Sequence, residues 1–324
     1  MARKVFIFPL IEPYLKDYLL AKGYDVKVAK EETYDDIMAN CSDCDAIIAG
    51  LGTFDAKVLD HLPKLKVLAK LGVGVDNFDL KRAEELGIWC VNAPYSNALS
   101  VAEFTITAIC NLAKNYPVMV ESMRDGVWQA RKADYFGCEM DGKVLGLIGA
   151  GRIGSIVAKK AYHGLGMKVI GYDKYANSAN IPPEIKLRSS LEEVLRESDF
   201  ISLHTPLNDE TRGMMNEARF AMMKPTAFFI NMARGAVADE KALYRACRDK
   251  VIAGAAIDVY EVEPPIPDDP IFSLKNVYAT PHTAVATDGA FVKMSMDAAQ
   301  GVIEVLSGKK PTWHVNKPTN PRTL

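Results

Sequence analysis

The sequence predicts an α/β protein of two doubly wound, parallel-sheet domains. Three observations carry that prediction: a length of 324 residues, short apolar runs alternating with polar helical stretches, and a change of pattern near Ser100. The length exceeds what one compact core usually organises, so two domains are expected. Strands alternating with helices imply βαβ units, and their crossovers require parallel pairing.

The first strand, residues 5–8, is a short apolar run closed by Pro9, too brief for a signal-peptide core. A helix over 14–22 ends at Gly23. A strand over 26–29, a helix over 34–40 and a strand over 46–49 follow. Residues 67–71 and 89–91 supply further strands around a helix over 80–86. At Ser100-Val101-Ala102-Glu103 a serine stands three residues before a glutamate, the spacing of a capping box, and a long, mostly buried helix continues through Leu112. A second βα series runs from Lys143 to Ala279, and a helix over 287–306 follows it. The expected division is therefore discontinuous: residues 1–99 with 288–324 form one domain, and residues 100–287 are inserted as the other. Helices beginning near Ser100 and Thr287 would cross between them.

Composition narrows the function classes. Hydrophobic residues make up 49% and charged residues 25%, as in ordinary soluble chains. A formal net charge of -2 offers no electrostatic footprint for nucleic acid or an anionic membrane. Apolar runs fall well short of the roughly 20 residues a bilayer span needs. Six cysteines without framework spacing suit a reduced, cytoplasmic setting. Cys41 and Cys44 have the spacing of a redox pair or half a zinc site. Without a second pair or a nearby histidine to complete it, they read as half-buried turn residues, and no metal is expected.

The chemistry begins at the turn Gly149-Ala150-Gly151-Arg152-Ile153-Gly154, which an apolar strand enters and a helix leaves. In that context G-x-G-x-x-G marks a dinucleotide site. Its first glycine permits the tight turn and its second admits the pyrophosphate to backbone N–H groups. Its third lets helix and sheet pack closely, with the phosphates at the positive end of the helix. The next strand ends at Asp173, whose carboxylate can accept both adenosine ribose hydroxyls and would repel a 2′-phosphate. NAD is thereby favoured over NADP, and Lys174 tempers that preference.

Later strands of this series end in polar residues, at His204-Thr205-Pro206, at Asn231-Met232-Ala233-Arg234-Gly235, at Asp258 with Glu263 beyond it, and at Pro281-His282. These segments resemble the D-isomer-specific 2-hydroxyacid dehydrogenases. So do Leu71-Gly72-Val73-Gly74-Val75-Asp76-Asn77, Ser100 to Glu103 and the glycine turn, so the similarity runs nearly the whole chain. The resemblance implies a Rossmann NAD-binding domain inserted into a flavodoxin-like substrate domain. It also implies reversible hydride transfer between NADH and the C2 carbonyl of a small 2-keto acid.

The side chains agree with that chemistry. His282 suits the proton donor because imidazole titrates near neutral pH. Glu263, bonded to the far ring nitrogen, would hold the ring and favour the imidazolium. Arg234 offers a planar fork to the substrate carboxylate and carbonyl. The resemblance further assigns carboxylate binding to backbone N–H groups around Val73 and Gly74. It places cofactor contacts at Arg152, Ile153, Thr205, Pro206, Thr211, Ala233 and Asp258, the last to the nicotinamide carboxamide unless it merely caps a helix. His204 reads as scaffold, as do His61, His163 and His314.

Two other functions share the scaffold: an NAD-sensing binding protein of the corepressor type, and a phosphite-type dehydrogenase. Glu263 argues against the formate relatives, which carry glutamine there. Phosphoglycerate enzymes of the family usually present an arginine after the third strand. Here Gly50-Leu51-Gly52-Thr53-Phe54 has no cation, although Arg131 and Lys132 could fold over the cleft. A homodimer is expected, as in the family, with residues 116–140 (Trp128, Tyr135 and Phe136 among them) forming much of its interface, since they are too apolar for a free loop.

Overall fold

A computed structural model describes residues 2–128, 136–176 and 179–322. Arg131, Lys132 and Tyr135 lie outside the described residues. The chain divides into two compact units, Met1–Asn97 with Ala286–Leu324, and Ala98–Val285.

The first unit starts with β1 (Lys4–Ile7), α1 (Glu12–Ala21), β2 (Asp25–Val28), α2 (Tyr34–Asn40) and β3 (Ala46–Ala49). It continues with α3 (Ala56–Asp60), β4 (Val67–Lys70), α4 (Leu80–Glu85) and β5 (Trp89–Val91). The second unit opens with α5 (Ala98–Lys114) and α6 (Tyr116–Arg124), followed by β6 (Val144–Ile148), α7 (Arg152–Leu165), β7 (Lys168–Tyr172) and β8 (Ile185–Leu187). Then come α8 (Leu191–Glu197), β9 (Phe200–Leu203), α9 (Glu217–Phe220), β10 (Phe228–Asn231), α10 (Glu240–Arg248), β11 (Gly254–Ile257) and β12 (Val277–Ala279). The first unit resumes with α11 (Asp288–Leu306).

The first sheet is parallel in the order β2-β1-β3-β4-β5. Successive side chains leave a strand on opposite faces, and both faces are covered. Val5, Ile7 and Ile48 pack with Leu15 and Leu19 of α1 and with Val302 of α11. Phe6 and Ile47 pack on the other face with Ile37 of α2 and Val58 of α3. Burial on two faces explains why these strands read as unbroken apolar runs. Each such side chain contributes about 1.5–3 kcal/mol when fully buried. Asp55 and Asp79 cap α3 and α4, accepting from the N–H groups of Val58 and Arg82 at 2.9 Å each.

The second sheet is parallel in the order β12-β11-β10-β9-β6-β7-β8. Its order reverses between β6 and β9, and the carboxyl ends of those strands open the crevice in which such sheets take ligands. Ile201 and Leu203 of β9 and Phe229 of β10 pack against α8 and α10 on one face. On the other face, Leu145 and Leu147 of β6 meet Val157 and Ala161 of α7 and Ile109 of α5.

Two sequence expectations change. The long helix begins at Ala98, so Ser100 lies inside its first turn and does not cap it. Ala98 and Leu99, both good helix formers, carry the helix back past the serine, and Glu103 instead pairs with Lys160 at 3.0 Å. Cys41 and Cys44 are fully buried, not half-buried. Desolvation drives both thiols upward, Cys44 to about 11, which leaves them protonated and unreactive at neutral pH. Residues 116–124 form a helix, and Tyr116, Met123, Trp128 and Phe136 are exposed. Among the described residues no helix is long and apolar enough to cross a membrane.

Candidate active site

The glycine turn joins β6 to α7 at the sheet's reversal point. Gly149 has φ +97°, and a Cβ there would lie 2.5 Å from the carbonyl oxygen of His204. A Cβ on Gly154 would lie 2.3 Å from the carbonyl oxygen of Gly149. Around Gly151, by contrast, nothing stands within 4 Å of that position. Gly151 is also the N-cap of α7 and supplies no side-chain cap. The first-turn N–H groups, which have no i−4 acceptor, therefore face a space left for a ligand. That is the arrangement a pyrophosphate needs.

Asp173 stands where the sequence placed it, one strand over. Its carboxylate accepts from the N–H of Ala150 at 2.9 Å and that of Tyr175 at 2.9 Å, which ties the end of β7 to the glycine turn. Lys174 is paired with Glu210 at 2.6 Å, so its charge is partly answered within the protein. At the end of β9, Oγ1 of Thr205 and Nδ1 of His204 are buried without a partner. Buried polar atoms left unpaired are costly, and these two lie beside the glycine turn, in the expected cofactor crevice. His204 meets Ser202 Oγ through Nε2 at 3.0 Å, and burial pushes its pKa down to about 4, so the ring is neutral at pH 7. Thr211 is used differently: its hydroxyl donates to the Pro206 carbonyl at 2.7 Å and accepts from the Asn208 N–H at 2.9 Å, closing its own turn.

The candidate catalytic side chains gather where β10, β11 and β12 end. After β10, buried Asn231 donates to the Arg234 carbonyl at 2.9 Å and accepts from the Ala233 N–H at 3.0 Å. That brace sets the backbone from which Arg234 projects, and the guanidinium donates to the Ala233 carbonyl at 2.8 Å. After β12, His282 has φ +52°, a left-handed conformation rare outside glycine. Asp258, 1% exposed at the end of β11, holds that turn in place. Its carboxylate accepts from Thr280 Oγ1 at 2.6 Å and from the N–H groups of Thr283 and Ala284 at 2.8 Å each. Asp258 thus clamps the histidine loop, which the sequence did not reveal.

Glu263 Oε2 and His282 Nδ1 are 2.6 Å apart, and Glu263 Oε1 accepts from the Tyr260 N–H at 3.1 Å. Burial pushes Glu263 upward. The His282 hydrogen bond and charge, the Tyr260 N–H and the Arg234 guanidinium outweigh that push and hold the carboxyl below its usual range. Glu263 is therefore a carboxylate at neutral pH. Nδ1 carries the proton shared with it, and among the described residues Nε2 keeps no hydrogen-bond partner. The Tyr260 hydroxyl donates to the Thr280 carbonyl at 2.8 Å and joins the two loops. Sequence reading missed Tyr260, Thr280 and Asn231 as supports, since no motif or periodicity marks a brace.

Val73 and Gly74 belong to the first unit, in the loop after β4. Asn92 donates to the Val73 carbonyl at 2.7 Å, and the Gly72 carbonyl accepts from the Ala93 N–H at 2.8 Å.

A glycine turn at the reversal point of a seven-stranded parallel sheet, with an acidic residue one strand over, defines a dinucleotide-binding Rossmann domain. Residues 106–284 match the family model described as the D-isomer specific 2-hydroxyacid dehydrogenase, NAD binding domain. The chain belongs to this family, and its second unit binds NAD. It is 38% identical over 321 residues to the D-3-phosphoglycerate dehydrogenase of Methanocaldococcus jannaschii, covering 97% of this chain and 59% of that one. It is 37% identical over 311 residues to the glyoxylate reductase of Aeropyrum pernix, covering 92% of each. The crystal structure of the TT0316 protein from Thermus thermophilus superposes with a TM-score of 0.86 at 32% identity, covering 96% of this chain and 99% of that one. The chain thus spans little more than half the length of the Methanocaldococcus relative.

Proposed function

We propose that this protein is an NAD-dependent D-2-hydroxyacid dehydrogenase that reduces and re-oxidises a small 2-keto acid at C2, with His282 as general acid and base. The observation that carries the reading is the 2.6 Å contact between Glu263 and His282 Nδ1. With that nitrogen engaged, Nε2 is the atom that gives a proton to the carbonyl oxygen in reduction and takes it from the hydroxyl in oxidation. The Glu263 carboxylate stabilises the imidazolium needed for the first of these. Arg234 orients the carboxylate and polarises the carbonyl through its planar fork. When bound, NADH supplies the hydride. Asp173 and the Lys174–Glu210 pair support NADH over NADPH. Relatives named as a dehydrogenase and a reductase support an oxidoreductase.

The test is stereospecific, keto-acid-dependent loss of NADH absorbance across pyruvate, glyoxylate, hydroxypyruvate, branched 2-keto acids and phosphohydroxypyruvate. Turnover of at least one, faster with NADH than NADPH, is expected. Failure of every acid in the panel removes the enzyme reading.

The partner in assembly is a second copy of this chain. The exposed Tyr116 and Met123 of α6, with Trp128 and Phe136 beyond it, support this, because monomers rarely expose large contiguous apolar patches. Light scattering at micromolar concentration should return twice the chain mass, and a monomer there overturns the dimer.

A further inference from the structure

The loop that carries Glu263 is held by a residue that the function above leaves unused. Among the described residues, none of the N–H groups from Tyr260 to Glu263 donates to a backbone carbonyl. Pro264 and Pro265 have no N–H to give, and Val262 is 69% exposed. Neither a ladder nor a core therefore fixes the stretch beyond Tyr260. The Glu261 N–H donates instead to Glu240 Oε1 at 2.5 Å, across 21 positions.

Glu240 is itself firmly placed. It is the first residue of α10, and the N-cap Asp239 accepts from the Ala242 N–H at 2.9 Å and donates its own N–H to the Met215 carbonyl at 2.9 Å. The turn that follows Arg234 presses on the same Tyr260–Glu261 peptide. A Cβ on Gly235 would lie 1.9 Å from the Tyr260 carbonyl carbon and 2.4 Å from the Glu261 nitrogen. Only glycine lets the two backbones approach so closely. One peptide group is thus gripped by the Arg234 turn and by α10, and Glu263 stands just beyond it.

The neighbours of Glu240 indicate what it supplies. Burial, with the charges of Glu261, Asp269 and Glu263, pushes its pKa up, and the Glu261 N–H pulls it down. A carboxyl among carboxylates gains nothing from its own charge. Its contribution is an acceptor in a fixed position.

We propose that Glu240 is a positioning residue: by holding the Tyr260–Glu261 peptide against the Arg234 turn, it keeps Glu263 on Nδ1 of His282 and so sets the ring tautomer. Its effect on rate rests on the dehydrogenase reading, and its effect on the tautomer does not.

The experiment compares wild type with E240Q and E240A. The glutamine carbonyl can still accept from the Glu261 N–H, and alanine cannot. In E240A, kcat for keto-acid reduction should fall about 10–10²-fold, the range that misplacing a reacting group costs. NADH affinity, read by fluorescence titration, should not change. E240Q, which keeps the hydrogen bond, should stay close to wild type. NMR of the imidazole nitrogens needs no turnover, and the His282 signals are assigned by their absence from the His282→Asn protein. The neutral ring should carry its proton on Nδ1 in wild type and E240Q, and lose that preference in E240A, because the partner of one nitrogen decides the tautomer. A wild-type kcat or a wild-type tautomer in E240A, or an E240Q as impaired as E240A, overturns the Glu240 assignment and leaves the dehydrogenase reading standing. If none of these proteins reduces a keto acid, the dehydrogenase reading falls and the tautomer alone decides Glu240. Should E240A fail to fold, E240D takes its place, since it keeps the charge but draws the carboxylate back by one methylene.

Discussion

Replacing His282 with asparagine is expected to lower kcat by about 10²–10⁴-fold, the usual share of a positioned general acid–base group. Asparagine is the informative replacement because of the backbone. His282 sits at φ +52°, where alanine would add about 1–2 kcal/mol of strain and asparagine is among the residues best tolerated. The Asp258 clamp on the N–H groups of Thr283 and Ala284 should survive, so the loop stays in place and the loss reports the missing imidazole. Stopped-flow single turnovers would place the loss in the chemical step. If kcat stayed within tenfold of wild type, another group would be moving the proton. Glu263→Gln offers a check on the same pair. The carboxyl lies below its usual range because of the folded-state contacts, so its stabilising effect is complete at neutral pH. That effect fades as pH falls through the folded value, and the variant should show a shallower loss of stability in acid.

The second large effect separates two glycines that are indistinguishable in the motif. Gly151→Val should leave the fold nearly intact, since nothing lies within 4 Å of its Cβ position and the backbone, at φ -67° and ψ -157°, suits any residue. Loss of a glycine N-cap costs no more than about 1 kcal/mol. NADH affinity should nevertheless fall by about 10²–10⁴-fold. The branched side chain fills the phosphate space and forfeits two hydrogen bonds to a charged group, each worth about 1.5–3 kcal/mol. Gly149→Ala should lose both binding and stability, because its φ is positive and its Cβ would strike the His204 carbonyl at 2.5 Å. Fluorescence titration with NADH beside thermal melting distinguishes the cases. A Gly151→Val protein that binds NADH like wild type would show that the pyrophosphate lies elsewhere.

Much of the architecture was legible because its signals are local. Strands buried on two faces write themselves as apolar runs, so β3 begins and ends where the pattern does, and β5 does the same. The glycine turn and Asp173 were legible because a tight turn and a ribose acceptor each demand a residue type at a fixed offset. Short elements escaped: α3 and β8 are too brief to show a period, and Ser100 misled because helix propensity upstream overrode a cap signal. Residues that act by bracing others escaped as well. Asp258 looked like a ligand contact, and its partners Thr280, Thr283 and Ala284 lie 22, 25 and 26 positions away.

The sequence by itself determined the parallel α/β plan, the NAD site and the residue types able to move a proton and grip a carboxylate, because those depend on side-chain chemistry and short-range spacing. Tertiary structure alone decided how they serve. Parallel pairing of β10, β11 and β12 gathers Arg234, Asp258, Glu263 and His282 at one sheet edge, and Asp258 holds His282 in a left-handed turn that its own propensity disfavours. Tertiary structure also placed Glu240 on the N–H of Glu261, across 21 positions. The physical reason is the same in each case: hydrogen bonds between distant segments exist only once the sheet has set their distance.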